Sequence, residues 1–225
     1  MIFFCLLWIP LFFAFWRSVS NAEGYGIGWA LFLGIVYTTL QYFFGPFIDP
    51  GSFGLYRWLG GFVDIVCVPV LIPLVICLLL IAVRALPGNA DIGGFILLWL
   101  VPLSAFRSMD WYSPGLPIKL VLVPVLWTAL ATGISALFFL ARTRPKWYNI
   151  VLAALVIAVM PFVAATAWWA FYVHQTLIGY VCLITSLIPL TVWVVGKIIS
   201  KFRETNNIEQ ITEGILHSFA HDRKG

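Results

Sequence analysis

Unbroken apolar runs follow one another along almost the whole chain, each close to the roughly 20 residues that a helix needs to cross a bilayer, and most of the charges fall in the short gaps between them. This pattern excludes a water-soluble fold. Of 225 residues, 62% are hydrophobic and 10% are charged, whereas a soluble domain carries about a quarter charged residues. In a bilayer only helices and closed β-barrels satisfy their own backbone. Barrel strands alternate apolar and polar residues, and these runs do not alternate. The expected fold is therefore all-α, a polytopic transmembrane helical bundle of about seven spans.

The runs place spans at 2–16, 25–48, 62–83, 92–106, 117–141, 148–173 and 176–199, the first and fourth being short. Residues 1–203 then form the membrane domain and 204–225 a short amphipathic tail, with no length left for a soluble catalytic domain. Alternating the spans puts Arg17, Arg84, Arg142, Arg144, Lys146, Lys197, Lys201, Arg203, Arg223 and Lys224 on one side and Arg57, Arg107 and Lys119 on the other. An excess of Lys and Arg marks the cytoplasmic face, so the N-terminus is expected outside and the C-terminus inside. A bacterial inner membrane is the expected location. Ser20-Asn21-Ala22 offers small residues at which a signal peptidase could cut. A signal peptide has a basic n-region, however, and no basic residue precedes Arg17, which favours a retained first helix.

The net charge of +4 is accounted for by topology and points to anionic headgroups rather than to nucleic acid. The expected partners are the lipid bilayer and, in one reading, other membrane subunits. Cys5, Cys67, Cys77 and Cys182 all fall inside spans without a C-x-x-C pair, which reads as buried apolar thiols. Prolines at 10, 46, 69, 73, 102, 124, 161 and 189 lie in or beside almost every span. Each removes a backbone donor and bends or breaks its helix, and bent helices line cavities in many transporters. Alanines at 153, 154, 158, 164, 165, 167 and 170 allow close helix approach, so the sixth span is expected at the centre of the bundle. Hydroxyls at Thr128, Thr132, Ser135, Thr166, Thr185, Ser186 and Thr191 can bond across helices or to their own backbone.

The charges that topology does not require carry the functional reading. They are Asp49, Arg57, Asp64, Arg107 and Asp110, with Lys119 and His174 nearby, all on the expected outer side. Asp64 enters an apolar run after Gly60-Gly61-Phe62-Val63. A carboxylate at mid-membrane costs about 2.5–3.5 kcal/mol on insertion scales, less near the surface, so Asp64 is expected to face protein, a cation or water. Asp64 and Arg107 form the expected centre of an outer-facing substrate site, with Asp110, Arg57, Asp49 and His174 around it. The alternative is a set of interfacial ion pairs that pins loops.

Arg107-Ser108-Met109-Asp110-Trp111 resembles the R-x-x-D-W spacing of microbial rhodopsins. That family needs a lysine deep in its last helix, whereas Lys197 lies in the final turn, and the motif here precedes the fifth span; no family is assigned. Paired imidazoles for haem are missing from the spans, as are H-E-x-x-H, G-x-S-x-G and phosphate-binding glycine loops, so no cofactor or metal is expected. Three functions fit: a small transporter or permease subunit, a non-catalytic subunit or assembly factor of a membrane complex, and a membrane enzyme acting through aspartates on lipid or an outer-leaflet substrate. In the tail, Ile208, Ile211, Ile215, Leu216 and Phe219 recur at helical spacing, and Asn206 with Glu209 resembles a helix cap. That segment is expected to lie on the inner leaflet or to dock on a partner.

Overall fold

The computed structural model describes residues 2–20, 26–44, 57–88, 90–110, 117–143 and 145–222, with side chains over 7–18, 26–43, 58–88, 90–106, 121–142, 145–200 and at 202. The described chain is helical throughout its regular elements, with no strand among those residues. It forms seven helices: α1 (Ile2–Ser20), α2 (Ile27–Phe44), α3, α4 (Ile92–Asp110), α5 (Pro117–Thr143), α6 (Trp147–Tyr172) and α7 (Thr176–Asp222). Helix α3 is a continuous rod of three sections, α-helical at Arg57–Phe62, π-helical at Val63–Leu71 and α-helical again at Ile72–Ala82.

Among the described residues, four stretches are long and apolar enough to cross a membrane: Trp58–Ala82, Val121–Arg142, Trp147–Tyr172 and Thr176–Ser200. Ile27–Phe43 and Ile92–Phe106 are apolar but shorter. These helices fit an integral membrane protein whose outer surface meets lipid, because large side chains such as Phe32, Leu79, Leu155 and Val192 are exposed on it.

Helix α5 lies at the centre, packed against α1, α3, α4, α6 and α7. It is buried on all sides, through Leu122, Val123, Trp127, Thr128, Ala131 and Thr132 around its circumference. The alanine-rich α6 is not the central helix. Its small residues Ala153, Ala164, Ala165, Ala167 and Ala170 form one buried face, while Val151, Leu152, Leu155, Val159 and Phe162 are exposed. Small residues mark where two backbones approach, and that needs one stripe only.

Close approach is set by glycines. An ideal Cβ at Gly61 would stand 2.5 Å from Cε3 of Trp168, which ties α3 to α6. At Gly93 it would stand 2.9 Å from both Cβ of Ser135 and Cζ2 of Trp16, where α1, α4 and α5 meet. Helix α2 lies at the edge and rests on α4, with Gly34 against the Trp99 backbone and Tyr37 5.1 Å from the Trp99 ring.

The buried hydroxyls turn back on their own helices. Thr128 donates to the Val125 carbonyl, Thr132 to Thr128, Ser186 to Cys182 and Ser104 to Val101. Thr166, Thr185 and Thr191 do the same from half-buried or exposed positions. Cys67, Cys77 and Cys182 are free thiols. Helix α7 runs on through Asn206 to Asp222 as one helix of 47 residues, about 70 Å at 1.5 Å per residue. No helix begins at Asn206.

Candidate functional site

The first turn of α3 is held against α6 by aromatic packing. Trp58 and Phe62 stack at 5.5 Å, each also against Phe162 at 6.0 and 5.2 Å. The Trp58 indole donates to the Thr166 hydroxyl at 3.1 Å. Gly60 and Gly61 are both buried, so the helix backbone itself sits close to its neighbour here.

The π-helical section begins immediately afterwards, with Asp64 in its first turn and half-buried. Its cause lies partly in Pro69, which has no N–H and so offers no α-helical donor to the Ile65 carbonyl four residues earlier. Trp127 on α5 donates its indole N–H to that carbonyl at 3.0 Å, entirely within the core. Further along, Ile72 donates to Cys67, five residues back, keeping the wider π register. Single π turns recur at functional positions because they shift side chains out of the regular helical register. Here a carboxylate lies in the first turn of the shifted section.

Of the residues singled out in the sequence, Asp64 and His174 have described side chains. Arg57 opens α3, and Arg107 and Asp110 lie in the last turns of α4, so topology brings these three backbones to the Asp64 end of the bundle. Their side chains, and that of Lys119 near the start of α5, lie outside the described residues. Asp49 lies outside them altogether. His174 is exposed in the turn joining α6 to α7, with a left-handed φ of 62°, and its backbone N–H donates to the Phe171 carbonyl at 3.3 Å. Among the described residues there is no group of three or more His, Cys, Asp or Glu that could hold a metal ion. The chemistry available at Asp64 is that of a carboxylate exchanging a proton or attracting a cation.

The opposite end holds a polar centre that sequence reasoning passed over. Asp91 precedes α4, accepts from the Gly94 backbone N–H at 3.0 Å and so caps the helix. It also accepts from the Trp16 indole, at 3.0 and 3.1 Å to its two oxygens. Burial pushes its carboxyl above the ordinary value, while the Gly94, Trp16 and Gly93 donors and the nearby Arg17 pull the other way. Trp16 is 2% exposed and stacks on Trp193 of α7 at 4.4 Å. It is a core residue. The signal for Asp91 was present in the sequence, since Asp immediately before an apolar helical run is the pattern of an N-cap.

Around this pair lie the basic residues that alternation assigned to one side. Arg142 donates to the Gly88 carbonyl in the α3–α4 connection. The Lys197 ammonium stands 5.0 Å over the Phe139 ring and 5.9 Å over the Trp193 ring. Arg84 is exposed in the same connection as Gly88. Comparison with protein-family models, with curated proteins and with solved structures gives no match to this chain.

Proposed function

We propose that this chain is a small membrane transporter or permease subunit, with Asp64 as the polar centre of its substrate path and Arg107 as the charge opposed to it. The observation that carries this reading is the π-helical section Val63–Leu71, with Asp64 in its first turn, inside a membrane-length helix. An ionisable group within a span is retained against its insertion cost where it serves a substrate or ion path. A π turn held by Pro69 and Trp127 gives that group a backbone that can change register. Arg57 and Asp110, on helices that reach the same end, flank the path, and Asp49 and His174 belong to its mouth.

The test is Asp64→Asn, which keeps the shape and removes the charge. It is expected to abolish complementation of a deletion strain at unchanged membrane abundance. The second reading is a non-catalytic subunit of a membrane complex, favoured by the buried hydroxyls that bond only their own helices. That reading takes over if Asp64→Asn and Arg107→Gln each lower abundance and the double variant restores it, because the pair is then a structural staple.

A further inference from the structure

Helix α7 keeps one apolar register past the end of its membrane span. Within the span, Gly179, Leu183, Ser186, Leu190, Trp193 and Lys197 recur at steps of three or four residues and are all buried or half-buried, while Val181, Val192 and Ile199 on the opposite face are exposed. The same steps, carried along the unbroken helix, pass Lys201 and Glu204 and reach Ile208, Ile211, Ile215 and Phe219. At 3.6 residues per turn, these four positions share the helical face that meets α5 and α6 higher up. The register that is exposed within the span instead carries Asn206, Gln210, Glu213 and His217. The lipid-side register thus turns polar beyond the span, whereas the bundle-side register stays apolar although the neighbouring spans have ended at Ala82 and Arg142.

Position decides what can cover this stripe. The span ends at Ser200, so position 208 lies about 12 Å and position 219 about 29 Å further along the helix axis. A headgroup layer is about 5–8 Å deep on each side of the hydrocarbon, so even at a usual tilt of about 20° the stripe stands in water. A second copy does not fit either. The helix is continuous, and a parallel α7 paired along this face would occupy the place of α5 and α6 inside the membrane. The cover is therefore a soluble element that stops at the end of the bundle, where Arg17, Arg84 and Lys146 are exposed. Cations there favour acidic side chains and the negative, C-terminal end of a helix. We infer that the α7 extension and the basic end form a docking corner for an acidic amphipathic helix of a soluble partner protein, laid along positions 208–219 with its C-terminal end toward Arg17, Arg84 and Lys146. Anchors at i, i+3, i+7 and i+11 are the spacing by which one helix receives the apolar face of another.

The experiment places the full chain in phosphatidylcholine nanodiscs and titrates it with two synthetic helical peptides of about 18 residues, long enough to cover the stripe. Both carry one leucine stripe, with glutamate at the remaining positions of one peptide and lysine at those of the other. The glutamate peptide is expected to bind about tenfold more tightly than the lysine peptide. Ile211→Ser combined with Ile215→Ser should weaken it about tenfold, and Arg84→Gln combined with Lys146→Gln about threefold. Gln210→Ser, on the opposite register, should leave it unchanged. A benzophenone side chain introduced at position 211 should cross-link to the peptide, and one at position 210 should not. Equal affinity for the two peptides, or unchanged binding after the isoleucine substitutions, would overturn the docking corner. Cross-links from position 211 to phospholipid or to a second copy of the chain would overturn it too, in favour of a leaflet-bound tail or a dimer.

Discussion

Asp64 and Asp91 stand at opposite ends of the same bundle, Asp64 in the first turn of the π-helical section and Asp91 just ahead of α4, and their surroundings differ. Asp91 sits ahead of its helix, where free N–H groups need acceptors, and both of its oxygens are engaged by Trp16 and Gly94. Its carboxylate is a joint between α1 and α4. Asp64 sits inside a rod that continues before and after it, where the helix does not ask for a cap. The structure around it is built to hold an irregular backbone, through Gly61 against Trp168 and Trp127 on the Ile65 carbonyl. The contrast separates a carboxylate that caps a helix start from one set within a continuous helix, where an ionisable group in a span carries an insertion cost.

The largest expected effect on stability is at the joint. Asp91→Ala removes a cap and leaves the buried Trp16 N–H without an acceptor, and should cost about 2–3 kcal/mol in detergent unfolding. Asp64→Asn should change the same measurement by less than about 1 kcal/mol. Equal losses would erase the distinction between the two ends.

Next in size is the packing beneath Asp64. Gly61→Ala drives a methyl into the rigid Trp168 ring and should destabilise by about 1–3 kcal/mol. At Gly133 the nearest atom is the terminal methyl of Met160, 2.8 Å from an ideal Cβ. That flexible end can turn aside, so Gly133→Ala should cost about 0.5 kcal/mol or less. A smaller cost at Gly61 than at Gly133 would show that the Trp168 ring does not pin α3 at Gly61.

Trp127→Phe deletes the donor to Ile65 and should cost about 1 kcal/mol. Its more telling readout is local, since amide exchange across 63–71 should quicken while that of the Trp16–Asp91 end stays unchanged. Unchanged protection at 63–71 would remove Trp127 as the support of the π turn.

The smallest expected effect is on pH dependence. Burial holds the Asp91 carboxyl above its ordinary value of 3.8, so the folded chain takes up its proton at higher pH than the unfolded chain does. The stability linked to that protonation is present in full below the unfolded value and is lost as pH rises through the folded one. Unfolding midpoints should therefore fall as pH climbs through that window, and Asp91→Asn should flatten the fall. A slope that survives the substitution would assign it to another group.

The helical class and the approximate run positions were legible in the residues themselves, because apolar stretches of that length have only one way to satisfy their backbone in lipid. The gathering of Arg17, Arg84 and Arg142 at one end was likewise legible from the order of runs and gaps. Bounds could be read only approximately: the apolar run near 62–83 hid the helix that starts five residues earlier at Arg57, and the polar tail hid the continuation of α7 to Asp222. Which helix is central was decided by tertiary packing, since α5 is enclosed by five neighbours while the alanines of α6 serve one face. The pairing of Trp16 with Asp91, 75 positions apart, and of Trp127 with Ile65, 62 apart, also needed the fold. Sequence periodicity reports which residues avoid water along one element, whereas a hydrogen bond between helices depends on their register and rotation, which only the packed bundle sets.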